Sequence, residues 1–160
     1  STNDTFAAMR VFINSERWKG VPMIVRTGKA LAEKLSEVNV VFKPTTDSPH
    51  HNMLTFRIQP NEAIELSLRV KRPGLDDEIQ PVEMDFDYKT AFKKDFTPTA
   101  YERVLIDAVR GDHTLFATAE EVMELWRVIQ PVLNEWAKNS SDLKTYKKGT
   151  LGPDISALYM

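Results

Sequence analysis

Residues 53–74 read MLTFRIQPNEAIELSLRVKRPG. Leu54, Phe56 and Ile58 alternate with Thr55, Arg57 and Gln59. After Pro60-Asn61-Glu62 the alternation resumes, with Ile64, Leu66, Leu68 and Val70 at every second position. Successive side chains of a strand point to opposite faces, so this period predicts two strands, each apolar on one face and polar on the other. Lys71-Arg72-Pro73-Gly74 closes the second strand with a turn signal.

The same reading extends in both directions. Residues 6–14, 21–26 and 38–43 are predicted strands, Pro22 sitting near the start of the second, where a missing N–H is tolerable. PTTDSPHHN, 44–52, is a polar, turn-rich loop. Residues 82–88 set Val82, Met84, Phe86 and Tyr88 against Glu83, Asp85 and Asp87, a half-buried strand with an acidic wet face.

Beyond residue 90 the period becomes helical. Thr97 with Pro98 is a candidate helix start, and Tyr101, Val104, Leu105 and Ala108 follow at helical spacing up to Gly111. Thr118 and Glu121 have capping-box spacing ahead of a stripe of Val122, Leu125, Trp126, Ile129, Leu133 and Trp136. Pro131 predicts a kink or break near Gln130, since an interior proline costs about 3 kcal/mol. The polar tail from Lys138 is expected to run over the surface. Strands first and helices later predict a single α+β domain over 1–160, a large, mostly antiparallel sheet with helices on one face.

Composition bounds the chemistry. A chain of 160 residues can bury a core. Lys+Arg of 21 against Asp+Glu of 23 gives a net charge of −2, which argues against a nucleic-acid binder held by bulk charge. With no cysteine there are no disulfides, thiolate metal sites or cysteine nucleophiles. No apolar run approaches the ~20 residues of a membrane span, and no signal peptide is visible. The chain opens without Met and enters a β-prone pattern almost at once, so it is expected to begin inside a larger protein. No glycine-rich strand-to-helix turn marks a dinucleotide site.

The stretch VRTGKALAEK, 25–34, carries the clearest candidate chemistry. Gly28 would let the backbone turn tightly, and Lys29 and Lys34 would supply point charges for a phosphate. Five extended residues span ~17 Å, so both lysines meet one small ligand only if the loop doubles back. The bland alternative is a strand end followed by a solvated, charged helical turn. Arg57 and Gln59 lie on the polar side of their strand, either as a wet sheet face or facing a ligand or subunit. His50 and His51 adjoin each other without further metal-ligand spacing. His113 reads as a helix-end or surface histidine, Asp76-Asp77-Glu78 as a solvated loop, and Trp126 and Trp136 as core or interface.

Several long stretches together carry a resemblance. ERWKGVPMIVRTGKAL (16–31), RIQPNEAI (57–64), AYERVLIDAVRGDHTLF (100–116), ELWRVIQPVL (124–133) and TYKKGTLGP (145–153) resemble, in order, the C-terminal domain of the glucose-6-phosphate dehydrogenases. The resemblance implies a cytoplasmic oxidoreductase that oxidises glucose 6-phosphate to 6-phosphogluconolactone and reduces NADP, sometimes NAD, in the pentose phosphate pathway. It implies that the sheet contributes a homodimer interface and that the cationic loop reaches the substrate. Lys29, Lys34 and Gln59 match substrate contacts. Arg26 and Arg57 match basic residues that hold a second, structural NADP in some members, whereas Leu35 and Asn39 replace basic residues of that site. The family's coenzyme-binding domain and catalytic histidine precede the matching region. On this reading the chain holds no catalytic and no coenzyme-binding residue of its own, and is inactive alone. The competing expectation is a separate, non-catalytic assembly module of the same fold.

Overall fold

A computed structural model describes residues 4–44, 50–92, 98–139 and 143–160. The order is β1 (Phe6–Val11), β2 (Met23–Gly28), β3 (Ser36–Val41), β4 (Met53–Gln59), β5 (Ala63–Lys71), β6 (Ile79–Asp87), α1 (Tyr88–Ala91), α2 (Ala100–Arg110) and α3 (Ala119–Lys138), then a 3-10 turn at Ser156–Tyr159. This is an α+β fold with wholly antiparallel pairing. Among the described residues the single large sheet expected from sequence divides in two: β1 pairs with β2, and β3-β4-β5-β6 form a four-stranded meander. The chain forms two compact units, Ser1–Lys94 with Tyr146–Met160, and Asp95–Thr145.

Register explains why the alternation matters. Phe56 lies opposite Val38 and Ile64, Leu54 opposite Val40 and Leu66, and Ile64 and Leu66 opposite Phe86 and Met84. One face of the meander is therefore apolar across all four strands. The other carries Asn39, Thr55, Arg57, Glu65, Glu83 and Asp85. Within its own unit the apolar face is not covered: Val38, Phe56, Val82, Met84 and Phe86 are all exposed. Among the described residues only Ala63 and Thr55 are buried, and the Thr55 hydroxyl donates to Asn39 Oδ1 at 2.7 Å. At the β6 end the apolar face runs into an aromatic cluster, Phe86 edge-on to Tyr88 and to Phe92. Tyr88 leaves the strand that the alternation gave it, because Asp87 accepts from the Thr90 N–H at 2.6 Å and starts α1.

Pro81 lies inside β6, which begins three residues earlier than the alternation suggests. β6 has a partner on one side only, so a residue without an N–H is tolerated there. In the Asp95–Thr145 unit, α2 is capped by Thr99, not Thr97, which lies outside the described residues. Thr99 and Glu102 form a reciprocal box, Thr99 N–H to Glu102 Oε2 at 2.7 Å, and that spacing selects the cap. Gly111 ends α2 at φ 70°, with the Asp112 N–H on Asp107 O and its own on Ala108 O, a Schellman closure. Thr118 and Glu121 cap α3 as their spacing predicts. Pro131 does not break α3, which runs continuously to Lys138.

Candidate functional site

The cationic stretch begins where β2 ends. Gly28 is the last residue of β2, opposite Phe6, and Lys29 opens an irregular connection, residues 29–35, that enters β3 at Ser36. The helical turn considered from sequence is absent. The chain bends at Ala30, which sits in the left-handed region at φ 52°. For a residue with a Cβ that conformation costs about 1–2 kcal/mol. Leu31 then folds back against Gly28, where an added Cβ would lie 3.0 Å from Leu31 Cδ1 and 2.8 Å from Phe6 Cδ2. Gly28 is therefore required by close side-chain approach, and the turn itself falls on Ala30.

Backbone bonds hold this connection on both sides. The Lys29 N–H donates to Thr5 O at 2.8 Å. The Ala30 carbonyl accepts from the Gly149 N–H at 2.9 Å, and the Ala32 N–H donates to Thr150 O at 2.9 Å. The Tyr146 hydroxyl reaches Lys29 O at 2.7 Å and Thr5 O at 2.9 Å, while its ring meets Phe6 edge-on at 5.6 Å. The tail from residue 146 thus builds the loop instead of merely crossing the surface. Its sequence signal was the cluster Gly149-Thr150-Leu151-Gly152-Pro153, since paired glycines near a proline mark a chain making a close approach. Gly152 meets that need at φ 91°, with Phe6 Cε2 2.6 Å from where a Cβ would stand.

Of the three residues singled out for substrate contact, the register brings Lys34 and Gln59 to one end of a strand pair, and Lys29 opens the connection that leads there. Lys29 starts the connection and Lys34 stands two residues before Ser36. Ser36 is the register partner of Gln59, the last residue of β4. All three are exposed. After Gln59 the chain turns through a cis Gln59–Pro60 bond and Asn61 at φ 59°.

The other candidates resolve into structural roles. Arg57 is ion-paired with Glu65 on the neighbouring strand. Asn39 donates to Glu37 Oε1 at 2.9 Å and accepts from Thr55. Of the positions matched to the structural NADP site, Arg57 is thus paired, Asn39 is bonded on both sides and Leu35 is apolar. His51 Nδ1 bonds Phe42 O at 2.7 Å and closes the base of the 42–52 loop, beside the Asn52 O bond to the Phe42 N–H. Among the described residues no group of His, Asp and Glu could hold a metal ion. Asp77 and Glu78 are ion-paired with Lys71 and Arg72 across the β5–β6 turn, so that loop is tied as well as solvated. No helix among the described residues is long and apolar enough to cross a membrane.

Residues 1–160 match the family model described as glucose-6-phosphate dehydrogenase, C-terminal domain. The glucose-6-phosphate 1-dehydrogenase of Borreliella burgdorferi is 42% identical over 160 residues, 96% of this chain and 33% of that protein. That of Gluconobacter oxydans is 39% identical, over 96% of this chain and 32% of that protein. A solved glucose-6-phosphate dehydrogenase, in complex with its substrate glucose-6-phosphate, superposes with a TM-score of 0.86 at 39% identity, across 96% of this chain and 33% of its own. The Mycobacterium avium glucose-6-phosphate 1-dehydrogenase superposes with a TM-score of 0.77 at 32% identity, over 99% of this chain and 34% of its own. The chain thus spans about a third of the length of the relatives it matches. With the match running over every residue and the fold shared at this identity, the chain belongs to the glucose-6-phosphate dehydrogenase C-terminal domain family.

Proposed function

We propose that this chain is the C-terminal, substrate-facing and dimerising part of a cytoplasmic glucose-6-phosphate dehydrogenase. The intact protein would oxidise glucose 6-phosphate to 6-phosphogluconolactone with NADP, in the pentose phosphate pathway. The observation that carries this reading is the loop at 29–35. A two-sided backbone clamp holds Lys29, and the loop delivers Lys34 to the end of the strand pair that also holds Gln59. Lys29 and Lys34 would supply positive charge for the sugar phosphate and Gln59 a polar contact. The coenzyme would be bound mainly by an N-terminal domain, which would also supply the general base for the C1 hydroxyl proton. The 160 residues act as one domain in this reading, its apolar sheet face meeting a second copy.

Hydride transfer requires substrate and coenzyme held together, and this chain offers one part of that enclosure. The isolated chain, incubated with glucose 6-phosphate and NADP, is expected to form no NADPH above the protein-free rate. Turnover by the isolated chain would overturn the assignment of catalysis to another domain. An in-frame nucleotide-binding region upstream in the gene separates this reading from that of a free-standing assembly module.

A further inference from the structure

We propose that the C-terminal tail is a positioning clamp for the substrate loop, with Tyr146 as its closing residue. The proposal rests on the reading of Lys29 as a substrate contact. The loop's bend is built on Ala30, a residue that does not favour φ 52° by itself. Such a conformation persists where its surroundings over-determine it. Here the surroundings come from residues over a hundred positions away. Gly149 N–H holds Ala30 O, Thr150 O holds the Ala32 N–H, and the Tyr146 hydroxyl lies within bonding distance of Lys29 O and Thr5 O.

The chemistry of that hydroxyl fits a latch between two strands' ends. A phenol has one proton, so it shares that proton between the two carbonyls or alternates between them. Lys29 O and Thr5 O belong to neighbouring segments already joined by the Lys29 N–H bond to Thr5 O. Tyr146 therefore locks the backbone of the residue that carries the substrate-facing ammonium, without approaching the substrate itself. Phe6 completes the latch: its ring is pinned between Tyr146, Gly28 and Gly152. Tyr146 is thus a positioning residue acting through Lys29.

The test uses the full-length enzyme and steady-state kinetics in both substrates. Tyr146→Phe keeps the ring against Phe6 and removes only the hydroxyl. It is expected to raise KM for glucose 6-phosphate about three- to tenfold, the range of one lost hydrogen bond. KM for the coenzyme should change less than about twofold. In a Lys29→Ala background the same substitution should leave KM for glucose 6-phosphate unaltered, because the clamp then has nothing to position. Two results overturn the inference while leaving Lys29 in the site: Lys29→Ala raises KM and Tyr146→Phe does not, or the two effects multiply independently. If Lys29→Ala itself leaves KM unchanged, the substrate reading fails and the clamp proposal fails with it. Gly152→Ala provides a second route to the same loop, through Phe6. It should raise the same KM and leave coenzyme KM alone, and a purely thermal effect without that split counts against the clamp.

Discussion

In the proposed reading Lys29 and its successor divide the work of the loop between charge and shape. Lys29 would meet a phosphate through a charge-assisted hydrogen bond, an interaction worth roughly 1.5–3 kcal/mol. In the intact enzyme Lys29→Ala is therefore expected to raise KM for glucose 6-phosphate by about ten- to a hundredfold, with kcat less affected. Steady-state kinetics decide it, and unchanged constants would remove Lys29 from the site. Ala30 offers a separate test of the shape. Replacing it by glycine removes about 1–2 kcal/mol of left-handed strain and adds about 0.5–1 kcal/mol of backbone entropy cost. Ala30→Gly should thus stabilise the protein by about 0.5–1 kcal/mol, read from urea unfolding, and a loss of stability would show that the bend is not strained. The lysines were visible in the sequence because charge after a strand is a local pattern. The bend at Ala30 was not, since alanine carries no signal for a positive φ and the bonds that hold it come from residues 149 and 150.

At the level of helices and strands, local chemistry wrote most of what the sequence allowed to be read. Both the β4 range and the capping box of α3 follow from spacing alone. The cap of α2 was misplaced by two residues because Thr97-Pro98 offers a plausible start, whereas the reciprocal pair Thr99 and Glu102 satisfies two orphan N–H groups at once. Thr99→Ala should cost about 1 kcal/mol, the usual value for a cap, and circular dichroism at 222 nm during thermal unfolding measures it. The same box carries a pH dependence. The Thr99 backbone and side-chain bonds hold Glu102 below its ordinary value. A carboxylate depressed in the folded state stabilises that state above its ordinary value and loses the contribution as pH falls through the folded value. Helicity of α2 should therefore begin to fray in the acid range below the ordinary glutamate value. In Thr99→Ala, Glu102 should titrate nearer its ordinary value, visible in an NMR titration of its side-chain carbon. A Glu102 titration indifferent to Thr99 would break the link. Pro131 shows the converse limit: its local penalty is real, but α3 runs through it unbroken.

Across the whole chain the decisive quantity is uncovered apolar surface. The alternation in residues 53–74 correctly sorts one face of the meander as apolar, yet it says nothing about what lies against that face. Within its own unit the face is open from edge to edge: Val38 on β3 is 50% exposed and Met84 on β6 57%, at the two sides of a patch that spans four paired strands. Exposed apolar surface of that extent marks an interface, and the chain's relatives are three times its length. A second copy is the occupant proposed here, since a sheet face presents the same patch on both partners of a two-fold pair. Met84→Glu places a charge within that patch, on the edge strand β6, where burial without a partner is costly. In the full-length protein it should weaken dimerisation at least tenfold, read by sedimentation velocity across a dilution series. The control is Glu83→Gln, the neighbouring residue on the opposite face, which should leave the sedimentation coefficient unchanged. If Met84→Glu unfolds the protein at all concentrations, the face is covered by another part of the same chain. If it alters neither sedimentation nor melting temperature, the apolar face takes part in no interface, and the dimer must form through other surfaces.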